Sequence, residues 1–115
     1  MGRVKITVLK RSAEPELAAK YANPNLVIPC QYHYEGQVIE VDRFEKPAEI
    51  CGEAWKTMDT VVCALIHGAT EPIGDQWMAK PGVAIVTCND GFRPVTFKIE
   101  RVDEAEKEGE THADH

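Results

Sequence analysis

The 115-residue chain predicts a single α+β domain, with a small, mostly antiparallel sheet of about four strands packed by one main helix and one short one. Three features of the sequence lead there. Apolar and polar residues alternate near both ends, over residues 4–8 and 95–102, the period of a half-buried strand. Between them Cys51, Trp55, Met58, Val62 and Leu65 recur at steps of four and three, which is one face of a helix. Proline and glycine then cut the remainder into short segments that suit turns.

The elements follow in order. Val4, Ile6 and Val8 alternate with Lys5 and Thr7 in the opening strand. Ser12 is placed to cap a short helix that carries Pro15 in its first turn and Leu17 and Tyr21 at i, i+4. Pro24 ends it by pushing Asn23 out of helical geometry. Tyr34-Glu35-Gly36-Gln37 reads as a turn into a second strand over residues 37–41. Pro47 opens the main helical region, which His67 and Gly68 close as a terminal cation and a C′ glycine. After a Pro/Gly-rich loop over residues 69–82, strands are expected at 83–88 and 95–102, joined by Asn89-Asp90-Gly91 and its neighbours. In the last strand Val95, Phe97 and Ile99 face one way and Thr96, Lys98 and Glu100 the other, so one side of the sheet should be wet.

Charge divides the chain in two. The net charge is −6, and the six acids and one lysine of residues 103–115 account for −5 of it. Residues 1–102 therefore form the expected domain, and 103–115 an acidic tail with too little apolar surface to fold by itself. A near-neutral body carries no basic footprint for a phosphate backbone, so nucleic acid is not an expected partner. The longest apolar run, residues 61–66, is far too short to span a bilayer. The first ten residues lack the apolar core of a secretory signal, and Ile6 stands where a myristoylation motif needs Ser or Thr. A cytoplasmic location is expected on these grounds, with Cys30, Cys51, Cys63 and Cys88 as free thiols or metal ligands rather than disulfides.

Glycine-rich phosphate loops, the His-Glu-x-x-His helix, the Gly-x-Ser-x-Gly elbow and Cys-x-x-Cys are all missing from the sequence. What remains is a set of cysteines with polar company. Cys30-Gln31-Tyr32-His33 puts a thiol and an imidazole one turn of chain apart, a spacing at which both reach one ion. Cys51, at a helix start, and Cys88, at a strand end, would complete a three-cysteine, one-histidine set for zinc or iron. Alternatively, Cys51 is a reactive thiol favoured by the helix dipole, with His33 as its base. The plainest alternative is that all these cysteines are small buried hydrophobes. Cys63 and His67 also share ligand spacing, but an apolar run and a helix end explain them. His112 and His115 belong to the tail. Arg93 is not required by its turn and is suited to a substrate carboxylate. Trp77, with Met78, sits in a loop where an aromatic side chain suits a ligand contact, a lid or an oligomer contact.

These residues resemble a family of small prokaryotic proteins of uncharacterised function, over residues 4–102. The markers are the opening Val4-Lys5-Ile6-Thr7-Val8, Cys30 followed by Gly36-Gln37, and Pro47 leading to Cys51 and a helix. The last is Cys88-x-Asp90-x-x-x-Pro94-Val95-x-Phe97-x-Ile99-x-Arg101. The resemblance implies that Cys30, Cys51 and Cys88 are the signature and that Cys63 is not. It implies no activity, and the family's histidine falls one position later than His33.

Three functional expectations stand together. In the first, a thiol-rich site at Cys30, Cys51 and Cys88, with His33, binds zinc, iron or a small thiol-reactive ligand. In the second, the chain is an accessory or oligomerising module whose cysteines only pack. In the third, it is a cysteine-dependent enzyme acting on a small metabolite. A four-stranded sheet of this size leaves open edges, which makes a homodimer the expected assembly.

Overall fold

Strand β1 (Arg3–Arg11) buries Val4, Ile6 and Val8 and leaves Lys5 and Thr7 on the opposite face. The computed structural model describes residues 2–102, so the acidic tail expected at 103–115 lies outside the described residues. β1 pairs antiparallel with β2 (Val38–Val41) on one side and β4 (Val95–Val102) on the other, and β3 (Val83–Thr87) adds to β4. The order β2-β1-β4-β3 gives a four-stranded antiparallel sheet, as the alternating patterns require. Ile6 lies opposite both Ile39 and Ile99, and Phe97 opposite both Val8 and Val86. Cross-strand apolar pairs of this kind fix the register, because a slip of one residue would turn every one of them into water.

The turn before β2 forms as expected. Gly36 takes φ +88°, a conformation that glycine adopts without steric cost. Its N–H reaches Val8 O at 2.9 Å, and the Val8 N–H returns to Gln37 O at 2.9 Å.

Helix α2 (Gly52–Ile66) lies across the apolar face of the sheet. Met58, Val62, Leu65 and Ile66 are fully buried there with Ile50 and Ala54, each large side chain contributing about 1.5–3 kcal/mol of burial. The helix begins later than Pro47: residues 47–50 form a turn closed by Ile50 N–H on Pro47 O at 3.2 Å, and Cys51 is the N-cap residue. At the other end Gly68 takes φ +105°. Its N–H bonds Leu65 O at 3.1 Å while the Ala69 N–H bonds Ala64 O at 2.9 Å, which is a Schellman cap. The Arg101 guanidinium donates to the carbonyls of Leu65 and Ile66, and the Gly2 N–H also reaches Ile66 O, at 3.0 Å.

The short helix α1 (Pro15–Tyr21) departs from expectation in its cap and its packing. Glu14, not Ser12, occupies the N-cap position, without a side-chain cap bond. The Ser12 N–H instead donates to Pro94 O at 2.7 Å, prolonging the pairing of β1 with β4, and Pro15 supplies the preset φ that starts the helix. None of its residues is buried, and Leu17 and Tyr21 face solvent.

The second face of the sheet is wet and charged. Arg3 pairs with Glu40 at 2.7 Å, while Glu100 forms ion pairs with Lys5 at 3.7 Å and Lys98 at 3.3 Å. β2 and β3 each pair on one side only among the described residues, so both edges are open. No helix of the described residues is long and apolar enough to cross a membrane.

Candidate functional site

Three chain segments meet where β1 ends and β4 begins: residues 30–33, the start of α2, and the β3–β4 loop. Together they enclose a cleft of about 260 Å3, below the ~300–1,000 Å3 typical of pockets for drug-sized ligands.

From the first segment come Cys30, Tyr32 and His33. Cys30 is buried, and its Sγ accepts the Tyr32 N–H at 3.3 Å. Arg11 ties the segment to the end of β1 by donating Nη1 to Cys30 O at 2.9 Å. His33 is only 2% exposed, packed edge-on against Phe97 with ring centroids 5.3 Å apart. Both of its nitrogens are engaged. Nε2 accepts the Cys51 backbone N–H at 3.3 Å, and Nδ1 lies 2.9 Å from Gln37 Oε1. A backbone donor on Nε2 leaves the ring proton to Nδ1, which donates it to Gln37. The ring is thus a neutral strut with no lone pair left for an ion or a thiol proton.

The second segment is the N-terminus of α2, with Cys51, Glu53 and Ala54 on the cleft. The first intrahelical bond is Trp55 N–H to Cys51 O at 2.9 Å, so the amides of Gly52, Glu53 and Ala54 have no acceptor within the helix. Cys51 Sγ makes no hydrogen bond within the described residues, unlike the other two cleft sulfurs. Glu53 spans the rim: Oε1 accepts from Asn89 Nδ2 at 2.9 Å and Oε2 from Lys56 at 3.0 Å. Those two bonds, and then the Lys56 charge, hold its carboxyl below the usual value.

The third segment is the β3–β4 loop, entered at Cys88. Cys88 Sγ accepts the Val95 N–H at 3.4 Å. Asp90 is the template of the loop, its Oδ1 accepting the amides of Phe92 at 2.9 Å and Arg93 at 3.0 Å. Its Oδ2 accepts Arg93 Nε at 2.8 Å. Partial burial pushes the Asp90 carboxyl up, but the bonds from the Arg93 side chain and the two amides, with the guanidinium charge, outweigh it and hold the group below its usual range. In return, the bond to Asp90, followed by the Asp90 charge, raises Arg93 above its own usual value, against partial burial. Arg93 Nη1 donates to Val27 O at 3.1 Å, which braces the loop against the chain just before the first segment.

Cys30, Cys51, Cys88, His33 and Arg93 therefore share one cleft. Trp77 does not: it lies half-exposed in the loop between α2 and β3, outside the cleft lining. Cys63 and His67 pair with each other on α2, sulfur to Nδ1 at 3.7 Å, also outside it. Among the described residues no group of three or more His, Cys, Asp or Glu is arranged to hold a metal ion. His33 explains part of this, since its two nitrogens are spent on Gln37 and on the Cys51 amide. Two residues escaped the sequence reading. Gln37 had a signal in its i, i+4 spacing from His33, and Glu53 in its place in the first helical turn; their partners, set by the fold, had none.

Fold and cleft together define a small α+β domain with a cysteine-lined cleft at one end of an antiparallel sheet. No family model, no curated protein and no solved structure matches the chain.

Proposed function

We propose that the cleft binds a small thiol-reactive molecule and that Cys51 is the thiol that meets it. One observation carries this reading: of the three cleft cysteines, Cys51 alone has a sulfur free of hydrogen bonds within the described residues. Cys30 and Cys88 receive backbone amides, which fixes them as walls of the cleft. Glu53 and Asp90 are engaged with neighbouring donors and act as struts. His33 sets the height of Cys51 by holding its amide. A ligand coordinated as a metal would need Nε2 of His33 released from that bond, so an organic ligand fits the arrangement better than zinc or iron.

The test is alkylation of the native protein with iodoacetamide, followed by peptide mapping. Cys51 should be modified well before Cys30 and Cys88. Equal, slow modification of all three would return them to the role of core filling. The expected homodimer rests on the open edges of β2 and β3, and sedimentation velocity decides it.

A further inference from the structure

We infer that the ligand of this cleft carries a carboxylate or similar small anionic group, seated between Arg93 and the first turn of α2; this rests on the thiol-site reading above. Arg93 uses Nε on Asp90 and Nη1 on Val27 O, and its Nη2 carries no hydrogen bond within the described residues. A guanidinium clamped at two of its nitrogens is preorganised, so little side-chain entropy is lost when the third takes a ligand oxygen. On the same cleft stand Glu53 and Ala54, whose amides have no acceptor within the 15-residue helix. The carboxylates of Glu53 and Asp90 are turned to Asn89, Lys56, Arg93 and the loop amides. Neither competes for the free donors. Cys51 caps the same helix turn, so an anion on these donors delivers the adjacent carbon of a short molecule to its sulfur. The cleft volume of about 260 Å3 sets the ligand class: a small organic acid bearing an electrophilic carbon.

Iodoacetate and iodoacetamide test this, being nearly equal in size and differing in charge. In each the cysteine sulfur forms a bond to the CH2 carbon, the carbon–iodine bond breaks, iodide leaves, and the thiol proton passes to solvent. The ratio of the iodoacetate rate to the iodoacetamide rate at Cys51 is compared with the same ratio for glutathione in the same buffer. We expect the Cys51 ratio to exceed the glutathione ratio by about tenfold or more, the scale of one charge-assisted hydrogen bond. In Arg93→Gln the ratio should fall toward the glutathione value; because it is a ratio, any change in cleft shape that affects both reagents alike cancels out of it. An unraised ratio in the wild type overturns the proposal, as does a raised ratio that survives in folded Arg93→Gln. Should that variant fail to fold, propionate decides on the wild-type protein: it slows iodoacetate at Cys51 if the anion seat exists, and no slowing overturns it. A Cys51 that neither reagent reaches sinks the thiol-site reading itself, a result distinct from normal iodoacetamide reactivity without anion preference.

Discussion

Nε2 of His33 accepts the backbone N–H of Cys51 at 3.3 Å across 18 residues of sequence, so a buried imidazole fixes the first turn of α2. The bond leaves the ring proton to Nδ1, which donates it to Gln37 Oε1. Removing the ring leaves a buried amide without a partner and Phe97 without its edge contact. His33→Leu, which keeps bulk against Phe97, should still lose roughly 1–3 kcal/mol in urea unfolding, the cost of an unmade buried hydrogen bond. An unchanged midpoint would mean that the Cys51 amide finds water instead.

Asp90 gives the fold an acid-sensitive loop. Its carboxyl is held below the usual 3.8 in the folded chain, so the charged form stabilises the native state. That contribution is present in full above the unfolded value and is lost as pH falls through the folded one. The stability advantage of wild type over Asp90→Asn should therefore be level from about pH 7 to pH 5 and shrink below about pH 4. Thermal unfolding of both proteins across that range measures it, and a constant difference down to pH 3 would refute the assignment.

Gly68 offers a test of backbone strain alone. It takes φ +105°, and a methyl group added there would meet no atom within 4 Å. Gly68→Ala should cost about 1–2 kcal/mol from conformation only, without altering iodoacetamide reactivity at Cys51. A loss of reactivity would show that the two ends of α2 are mechanically coupled.

The buried apolar residues of the described chain run from Val4 to Ile99. A protein ending at Val102 should accordingly keep a cooperative thermal transition within a few degrees of the full chain. Loss of that transition in calorimetry would assign residues 103–115 a part in the core.

The sheet was legible because its signal is local: Val4, Ile6 and Val8 and then Val95, Phe97 and Ile99 alternate within single strands, and burial follows that alternation. The main helix was legible from Met58, Val62 and Leu65 in the same way. Its start was legible in part: Cys51 was placed at it, as found, but Pro47 is an ordinary helix opener and only the folded chain shows that residues 47–50 turn before Cys51. Ser12 misled for a related reason: a good capping side chain loses to a backbone pairing with Pro94, 82 positions away, that no local pattern records. In the cleft, residue types were readable and roles were not. The spacing of Cys30 and His33 suggested shared ligation, yet His33 spends its lone pair on the Cys51 amide. Trp77 looked like a ligand contact because exposed aromatics in loops often are, but its loop lies outside the cleft.

Arg3 stands opposite Val102 in the sheet, next to the C-terminal end of α2 that Gly2 and Arg101 hold. The cleft sits at the other pole, where β1 finishes, β4 starts and α2 begins. Whatever is fused to either end of residues 2–102, a tag, a surface linker or another domain, thus leaves from the pole away from the cleft. Residues 2–102 can be immobilised by either end with the cysteine cleft facing the bulk solution, and a short peptide joining residue 102 to residue 2 would close them into a ring at small loop-entropy cost without touching the ligand end.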